Sequence, residues 1–458
     1  MQDDQTLEPR SGLLVGTGLA LVAAFVAGLL ILMAATDYDT WGAMFVAPVL
    51  IAVSLPVLAR QAHREGDRWL FILLVVALLV KLGGAIARHY VAFDVYGGVA
   101  DANSYDLIGT EIAERFRAGN FDHGLPRLTG TQFIEFITGI IYTVMGPSLL
   151  GGFLFFSWLG FWGLFLFYRA FVIAVPEGSR RAYARLLFFL PSLVFWPSSI
   201  GKESWMMFSL GIAAFGAAHI MTGRTMRGVG IASLGLWLAA LPRPHVAGLM
   251  ALGMVVGYLF RKPRQDLREL APVVKGLAMA LVAVVALIFL VQATEFLKGQ
   301  GIDTDQGVTS ALREVSYTTS SGESSFVPSE LESPFRAPIA VLTVLFRPFV
   351  FEAHNVQALA AALEGTFLLA VSLFRFRWGL AAVRSMRRQP YVAFAAAYAG
   401  LFIIAFSSFA NFGLLARERV QLFPLFVLLL SIPPKKRTDG DGEDPQRVEE
   451  PLSAAPVA

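Results

Sequence analysis

Residues 13–35 read LLVGTGLALVAAFVAGLLILMAA, a stretch of 23 residues without an acidic or basic side chain. A helix needs about 20 apolar residues to cross about 30 Å of hydrocarbon, so this stretch is long enough to span a bilayer. It is too long for the apolar core of a signal peptide, and no convincing cleavage site precedes the next apolar run. We therefore expect a retained membrane helix.

The composition of the whole chain extends this expectation. Of its 458 residues, 56% are hydrophobic and 16% are charged, and the mean hydropathy is +0.61. Such values exclude a soluble globular protein. The apolar runs are continuous and lack the alternation of barrel strands. The absence of cysteine excludes disulfides and thiolate metal sites, and a net charge of +3 is too small to indicate nucleic-acid binding. The sequence predicts an all-α polytopic membrane protein.

Twelve segments are candidate transmembrane helices. They are 13–35, 41–59, 69–87, 152–168, 186–197, 204–222, 228–241, 246–260, 271–293, 356–374, 391–409 and 420–432. Most Lys and Arg residues fall in alternate connections, which should be cytoplasmic. We expect about 12 crossings of a cell membrane, the bacterial plasma membrane, with both termini cytoplasmic.

Two further apolar segments do not cross in this topology. Residues 131–146 and 338–346 are each bracketed by outer connections, so we expect re-entrant or interfacial helices. The long outer loops are 88–131 and 294–336, and the second resembles a partly ordered lid. Residues 1–432 then form one domain. Residues 433–458 have the composition of a disordered cytoplasmic tail.

The first outer loop contains a candidate catalytic acid. Apolar residues recur at helical spacing at Tyr105, Ile108, Ile112 and Phe116. This stripe predicts an amphipathic helix lying on the bilayer and capped by Asn103 or Ser104. Asp101 would lie just before the helix, where the dipole favours an ionised carboxylate suited to general-base work. A capping or merely solvated acid is the alternative.

Two Pro-rich turns carry charges on the same predicted face. Pro191 and Pro197 interrupt a short helix before Lys202 and Glu203, and broken helices leave backbone donors that bind anions. The alternative for Lys202 is a lysine that reaches the interface.

A second turn, 242–245, presents Arg243 and His245 between prolines. With no second histidine nearby, hydrogen bonding is a better prediction for His245 than metal binding.

Two later segments bring more positive charge to this face. Arg347, Glu352 and Asn355 lie among aromatic residues, and Arg417 and Arg419 flank Glu418. Arginine on an outer face opposes the inside rule and is well suited to a bidentate grip on phosphate. The alternative is that Glu418 pairs with one of the two arginines.

Lys81 and Glu364 are ionisable residues within the predicted spans. Lys81 lies near a span end, so we expect it to extend to the interface. Glu364 lies in mid-span, and we expect a structural partner for it.

The chain has no Walker loop and no Gly-rich dinucleotide turn. It also has no soluble domain large enough for a nucleotide sugar. An activated donor would have to come from the membrane, and a polyprenyl phosphate carrier fits that requirement.

These segments together resemble the GT-C superfamily of membrane glycosyltransferases, which includes protein mannosyltransferases and lipid A aminoarabinose transferases. The resemblance rests on four segments: Asp101 with Tyr105, 191–203, 347–349 and 417–424. It implies a GT-C-like fold, Asp101 as catalytic base, and Arg417 or Arg419 as ligand of the lipid phosphate. The implied reaction is transfer of a hexosyl or pentosyl group, with inversion, to an acceptor hydroxyl at the outer face.

The chain also departs from the family pattern. Ala102 replaces a second acid, 125–127 reads LPR where relatives have a Pro-Pro pair, and two further spans precede the loop. The acceptor, a lipid, glycan or protein, and a possible divalent cation therefore stay open. The remaining candidates for substrate or phosphate binding are Lys202, Glu203, Arg243, His245, Arg347, Glu352, Asn355 and Tyr105, with no metal ligand among them.

Two other functions compete with this interpretation. A lipid-linked polysaccharide polymerase or ligase would use outer-face arginines without a loop carboxylate. A secondary transporter would show an internal repeat and a polar site around Glu364. We see no such repeat in the sequence.

Overall fold

The structure is a computed structural model that describes residues 8–98, 100–261, 326 and 337–434. The regular elements of these residues are all helices, which confirms the all-α part of the predicted fold class. The helices are α1 Glu8–Ala35, α2 Tyr38–Glu65, α3 Arg68–Tyr90, α4 Asp101–Arg117, α5 Thr131–Met145, α6 Leu149–Ala174, α7 Arg180–Phe189, α8 Pro191–Phe195, α9 Lys202–Met221, α10 Thr225–Ala240, α11 Pro244–Leu259, α12 Ala337–Phe346, α13 Val356–Phe374, α14 Phe376–Ser385, α15 Pro390–Phe406, α16 Phe412–Glu418 and α17 Phe423–Leu429. A π-helical turn, Val91–Val95, extends α3, and 3-10 turns lie at Val350–Glu352 and Arg419–Gln421.

Six described helices are long and apolar enough to cross a membrane. They are α1 from Gly16, α2, α3 with its π turn, α6, α9 and α13. Helices α14 and α15 are bent by 116° and count as a seventh span if taken together. The chain thus has the helices of a multi-pass membrane protein. Twelve crossings stay a prediction, because the candidate span 271–293 lies outside the described residues, as do most of the loop 294–336 and the tail from 435.

Two predicted spans are not single helices. The segment 186–197 is divided between α7 and α8, because Pro191 starts a new helix and lacks a backbone donor. The segment 420–432 consists of a 3-10 turn and the seven-residue α17. Most side chains of both segments are buried in the protein. Their apolar character therefore reflects burial in the protein interior. A third difference is α14, which forms within the predicted connection 375–388.

Small residues let the central helices α6, α9 and α10 approach closely. A Cβ added to Gly211 of α9 would lie 2.4 Å from the carbonyl oxygen of Gly163 in α6. One added to Gly235 of α10 would lie 2.3 Å from the backbone nitrogen of Ala213 in α9. Close packing through small residues is the usual way membrane helices associate. These contacts fix the position of α9, whose first turn carries Lys202 and Glu203.

Charged side chains hold both ends of the short helix α8. Glu364 of α13 accepts hydrogen bonds from the backbone nitrogen and hydroxyl of Ser192. Lys81 of α3 donates to the carbonyl of Leu193 at 2.6 Å and to that of Val194 at 3.3 Å. An acid at the first turn and a base at the last complement the helix dipole.

This arrangement confirms a structural partner for Glu364. The expectation that Lys81 extends to the interface is wrong. Its side chain is only 2% exposed, because the carbonyls at the end of α8 provide acceptors inside the protein.

Helix α4 begins at Asp101, and its cap is the backbone of Ala100 rather than a side chain. The predicted caps Asn103 and Ser104 are therefore wrong, because the chain turns earlier and the amide of Asn103 already donates to the carbonyl of Ala100.

The apolar stripe of α4 packs against α5. A Cβ on Gly109 of α4 would lie 2.6 Å from Thr138 of α5, and one on Gly139 would lie 2.5 Å from Ile112. Protein, rather than a bilayer surface, thus covers this side of α4. The predicted segments 131–146 and 338–346 are helical as α5 and α12, and both are shorter than the spans.

Candidate functional site

A cavity of about 390 Å³ lies where the end of α3, the start of α4, the turn before α9 and the start of α13 meet. Its charged lining residues come from four separate segments of the chain. They are Arg88, Asp101, Glu203 and Arg417. Polar and aromatic groups complete much of the wall: Tyr96, Phe153, Ser199 and Gln357.

Arg417 joins two acids that are far apart in the sequence. Its Nη2 donates to Oδ2 of Asp101 at 2.7 Å, and its Nε donates to Oε1 of Glu203 at 2.6 Å. Asp101 and Arg417 are separated by 316 residues. Two residues that the sequence places on the same face of the membrane thus meet in one cavity.

Arg243 extends the same set of ion pairs into the protein. Its Nη2 lies 2.7 Å from Oε1 of Glu203 and 2.7 Å from Oε1 of Glu418. We call the five residues Asp101, Arg417, Glu203, Arg243 and Glu418 the charge network. The side chain of Asp101 is 57% exposed, that of Arg417 23%, and that of Glu203 3%. The network therefore runs from a solvent-exposed end at Asp101 to a buried end at Glu203.

The electrostatics differ along the network. The negative charge of Glu203, followed by that of Asp101, raises the pKa of Arg417 against the effect of burial. This guanidinium is thus permanently cationic. Burial raises the pKa of Glu418, and the cation of Arg243 acts in the opposite direction.

Tyr105 lies beside the network rather than on the bilayer. Its side chain is 2% exposed. Burial, reinforced by the charges of Asp101 and Glu203, raises the pKa of this phenol. A Cβ on Gly201 would lie 3.9 Å from the ring of Tyr105 and 3.3 Å from the carboxylate of Glu203. Tyr105 therefore stays protonated and packs close to the buried end of the network at Glu203.

Arg88 is a cavity residue that sequence reasoning missed. Its guanidinium carbon lies 4.9 Å from the ring centroid of Phe195 and 4.7 Å from that of Trp196. We call these two rings the aromatic platform. In the sequence Arg88 only marks the end of an apolar span, which is where any interfacial arginine is found.

The cavity wall on the Arg88 side is irregular. The π-helical turn Val91–Val95 follows α3, and Tyr96 after it donates to the side chain of Gln357 at 3.2 Å. Single π-helical turns are frequent at functional sites. The turn brings Ala92 and Tyr96 to the cavity wall.

Lys202 and His245 lie next to the network without lining the cavity. Lys202 is the first residue of α9 and is half-buried. The charges of Arg243, Glu203, Arg417 and Asp101 act on it. His245 follows Arg243 in the first turn of α11, and its ring lies 6.3 Å from that of Phe406.

A second group of predicted site residues forms a separate cluster. Arg347 pairs with both carboxylate oxygens of Glu352, and its Nε donates at 3.0 and 3.1 Å. Its guanidinium also covers the rings of Phe326 and Phe412. Asn355 accepts from the amide of Ala358 at 2.7 Å and so caps α13. None of these residues lines the described cavity.

Arg419 differs from its neighbour Arg417. Its side chain is fully buried, and its Nη1 donates to the carbonyl of Arg347. The reason is local, because α16 ends at Glu418 and the 3-10 turn directs residue 419 inward. The structure thus brings Arg417 to the cavity and leaves Arg419 in the core.

The arrangement offers two chemical capabilities. An exposed carboxylate, held by a guanidinium at the mouth, can accept a proton from a hydroxyl. Guanidinium groups in a partly desolvated cavity can stabilise a departing anion. Within the described ranges, no group of three His, Asp or Glu side chains is placed to hold a metal ion.

Comparisons with known proteins give no further guide to the function. Models of protein families produced no match to the chain. Curated proteins and solved structures likewise produced none.

Proposed function

We propose that this protein is an inverting glycosyltransferase. It moves a sugar from a polyprenyl-phosphate-linked donor to an acceptor hydroxyl at the outer face of the membrane. The observation that carries the proposal is the contact of Asp101 with Arg417. It brings a carboxylate and a guanidinium from distant segments together at the opening of one cavity. The resemblance of the same segments to GT-C enzymes supports it.

The reaction uses the two ends of the network differently. The Asp101 carboxylate accepts the proton of the acceptor hydroxyl while that oxygen attacks the anomeric carbon of the sugar. The bond between this carbon and the phosphate oxygen breaks, and its electron pair leaves with the lipid phosphate. Cationic side chains in the cavity stabilise the negative charge that develops there. A single displacement inverts the anomeric configuration.

The donor class follows from the surroundings of the cavity. The helices around it are apolar enough to lie in a bilayer, so a lipid carrier can present its phosphate from the side. Of the two arginines that the resemblance implies for the phosphate, only Arg417 lines the cavity. The acceptor is a hydroxyl of a lipid, a glycan or a protein in the cell envelope.

A polysaccharide polymerase or ligase is the second candidate. The observation in its favour is that Arg417 already neutralises Asp101, which also suits a purely structural acid. Such an enzyme would keep its activity when the carboxylate is replaced.

The test is a transfer assay in liposomes with polyprenyl phosphates that carry hexoses or pentoses. Release of the free lipid phosphate in the presence of cell-envelope acceptors is the measured rate. We expect Asp101→Asn to slow this release by about 100-fold or more, with only a small change in the unfolding temperature because the Asp101 side chain is 57% exposed. Asp122→Asn is the matched control, because Asp122 is exposed on the segment after α4. Unchanged release by Asp101→Asn would overturn the proposal.

A further inference from the structure

The guanidinium groups in and around the cavity are not equally free to bind an anionic ligand. Arg417 donates its Nε and Nη2 to Glu203 and Asp101, and the Nη2 of Arg243 is shared by two glutamates. Arg419 is fully buried. Within the charge network, protein carboxylates already neutralise the cations that sequence reasoning selected for phosphate.

Arg88 is in a different position. It lines the same cavity as Asp101, and its contacts are the two rings of the aromatic platform at 4.9 and 4.7 Å. Among the described residues, its guanidinium has no ion pair and no side-chain hydrogen bond. At longer range the carboxylates of Glu203 and Asp101 attract it, and the cation of Arg417 repels it. A cation–π contact forms no hydrogen bond to a carbonyl or carboxylate, so the N–H groups of this guanidinium stay free to donate to an anion.

The platform that supports Arg88 is itself fixed. Phe195 ends α8 and Trp196 follows it. Glu364 holds the first turn of this helix, and Lys81 holds its last carbonyls. Two buried charged side chains, from α3 and α13, therefore fix the position of the two rings that Arg88 contacts. A preorganised guanidinium is better suited to bind an anion than a mobile surface arginine.

We propose that Arg88, in cation–π contact with Phe195 and Trp196, binds the phosphate of the lipid-linked ligand in this cavity. Arg417 then acts as a positioning residue that holds Asp101 and Glu203 in place. A phosphate monoanion accepts two parallel N–H donors from a guanidinium. This inference rests on the proposed function for the identity of the lipid, and on the geometry for the anion.

The test is equilibrium binding in nanodiscs of uncharged lipid, followed by native mass spectrometry. The probes are polyprenyl phosphate, the polyprenol of the same length, and inorganic phosphate. We expect polyprenyl phosphate to bind Arg88→Gln about 10- to 100-fold more weakly than the unmodified chain. Arg88→Lys should give an intermediate loss, because lysine keeps the charge without the planar fork.

Controls separate binding from folding. Arg115→Gln removes an exposed arginine of α4 that pairs with Glu111, and it should bind as the unmodified chain does. Trp196→Leu removes part of the platform and keeps Arg88, so weaker phosphate binding is expected there too. If Arg88→Gln does not fold, Arg88→Lys and Trp196→Leu carry the test. Competition by inorganic phosphate shows whether the anion alone is recognised or the lipid contributes.

The outcomes distinguish this inference from the proposed function. Equal affinity of Arg88→Gln and the unmodified chain for polyprenyl phosphate overturns the inference, as does equal affinity for polyprenol. Transfer that needs Asp101 would then still support the glycosyltransferase. Phosphate binding that needs Arg88, with transfer unaffected by Asp101→Asn, would keep the inference and overturn the proposed reaction.

Discussion

The molecule contains two clusters of arginine and glutamate that look alike in the sequence and differ in the structure. The charge network joins residues as far as 316 positions apart, and three of its five members line a cavity. The pair of Arg347 and Glu352 spans five positions and lines none of it. Charges in an apolar chain thus mark a candidate site when distant segments provide them, whereas a local pair satisfies itself.

The two clusters also differ in what they leave open. Both carboxylate oxygens of Glu352 accept from Arg347, and two aromatic rings cover that guanidinium. In the network, Asp101 stays more than half exposed at the mouth. Burying the inner charges is costly, and the cost is offset only while every partner is present.

Removing one buried partner from the network should therefore give the largest effect. Glu203→Gln leaves Arg417 and Arg243 without their shared carboxylate. We expect the free energy of unfolding to fall by about 3–5 kcal/mol. Glu352→Gln, the matched change in the local pair, should cost about 1 kcal/mol. Denaturant titration in mixed micelles measures both, and equal losses would contradict the distinction between the clusters.

The pH dependence of stability should differ in sign between the clusters. Burial raises the pKa of Glu418 above its ordinary value of 4.5. Partial burial acts the same way on Glu352, but hydrogen bonds from Arg347 and from the amide of Phe349 lower its pKa below 4.5. The stability from Glu418 is fully present below pH 4.5 and is lost as the pH rises through its folded-state pKa. That from Glu352 is present above pH 4.5 and is lost as the pH falls through its folded-state pKa.

Glutamine variants make this difference measurable. The unfolding temperature of Glu418→Gln, relative to the unmodified chain, should increase as the pH rises above 4.5. Glu352→Gln should be less stable than the unmodified chain at neutral pH, and the deficit should shrink below pH 4.5. The same pH slope for both variants would show that the two glutamates share one environment.

The smallest effects on stability are expected from cysteine substitutions that test on which side of the membrane each cluster lies. The chain contains no cysteine, so single-cysteine variants can be labelled without background. Ala118, Phe351 and Arg64 are exposed, and their substitution should change stability by no more than about 0.5 kcal/mol.

In intact spheroplasts, an impermeant maleimide should label Ala118→Cys, at the far end of the helix that begins with Asp101, and Phe351→Cys, next to Glu352. Arg64→Cys should react only after permeabilisation. The reverse pattern would place both clusters on the cytoplasmic side.

Much of the helical framework could be predicted from the sequence. The span 356–374 coincides with α13, because Asn355 provides a cap and Arg375 ends the apolar run. The segment 131–146 is α5 almost to the residue. These elements are defined by local signals, which a single sequence contains.

Partner choice could not be predicted in the same way. Arg417 and Arg419 have the same chemistry and flank one glutamate, yet the change from α-helix to 3-10 turn between them sends one to the cavity and the other to the core. Arg88 was missed because its aromatic platform lies more than a hundred residues further along the chain. Lys81 was misjudged because the break at Pro191 creates its acceptors.

The central claim is that Asp101 and Arg417 act as one unit in the transfer reaction. A double-mutant cycle of Asp101→Asn and Arg417→Gln on the rate of lipid-phosphate release tests it most directly. The claim predicts that the double variant is no slower than the slower single variant. Single-variant losses that multiply in the double variant would contradict it, because the two side chains would then act independently.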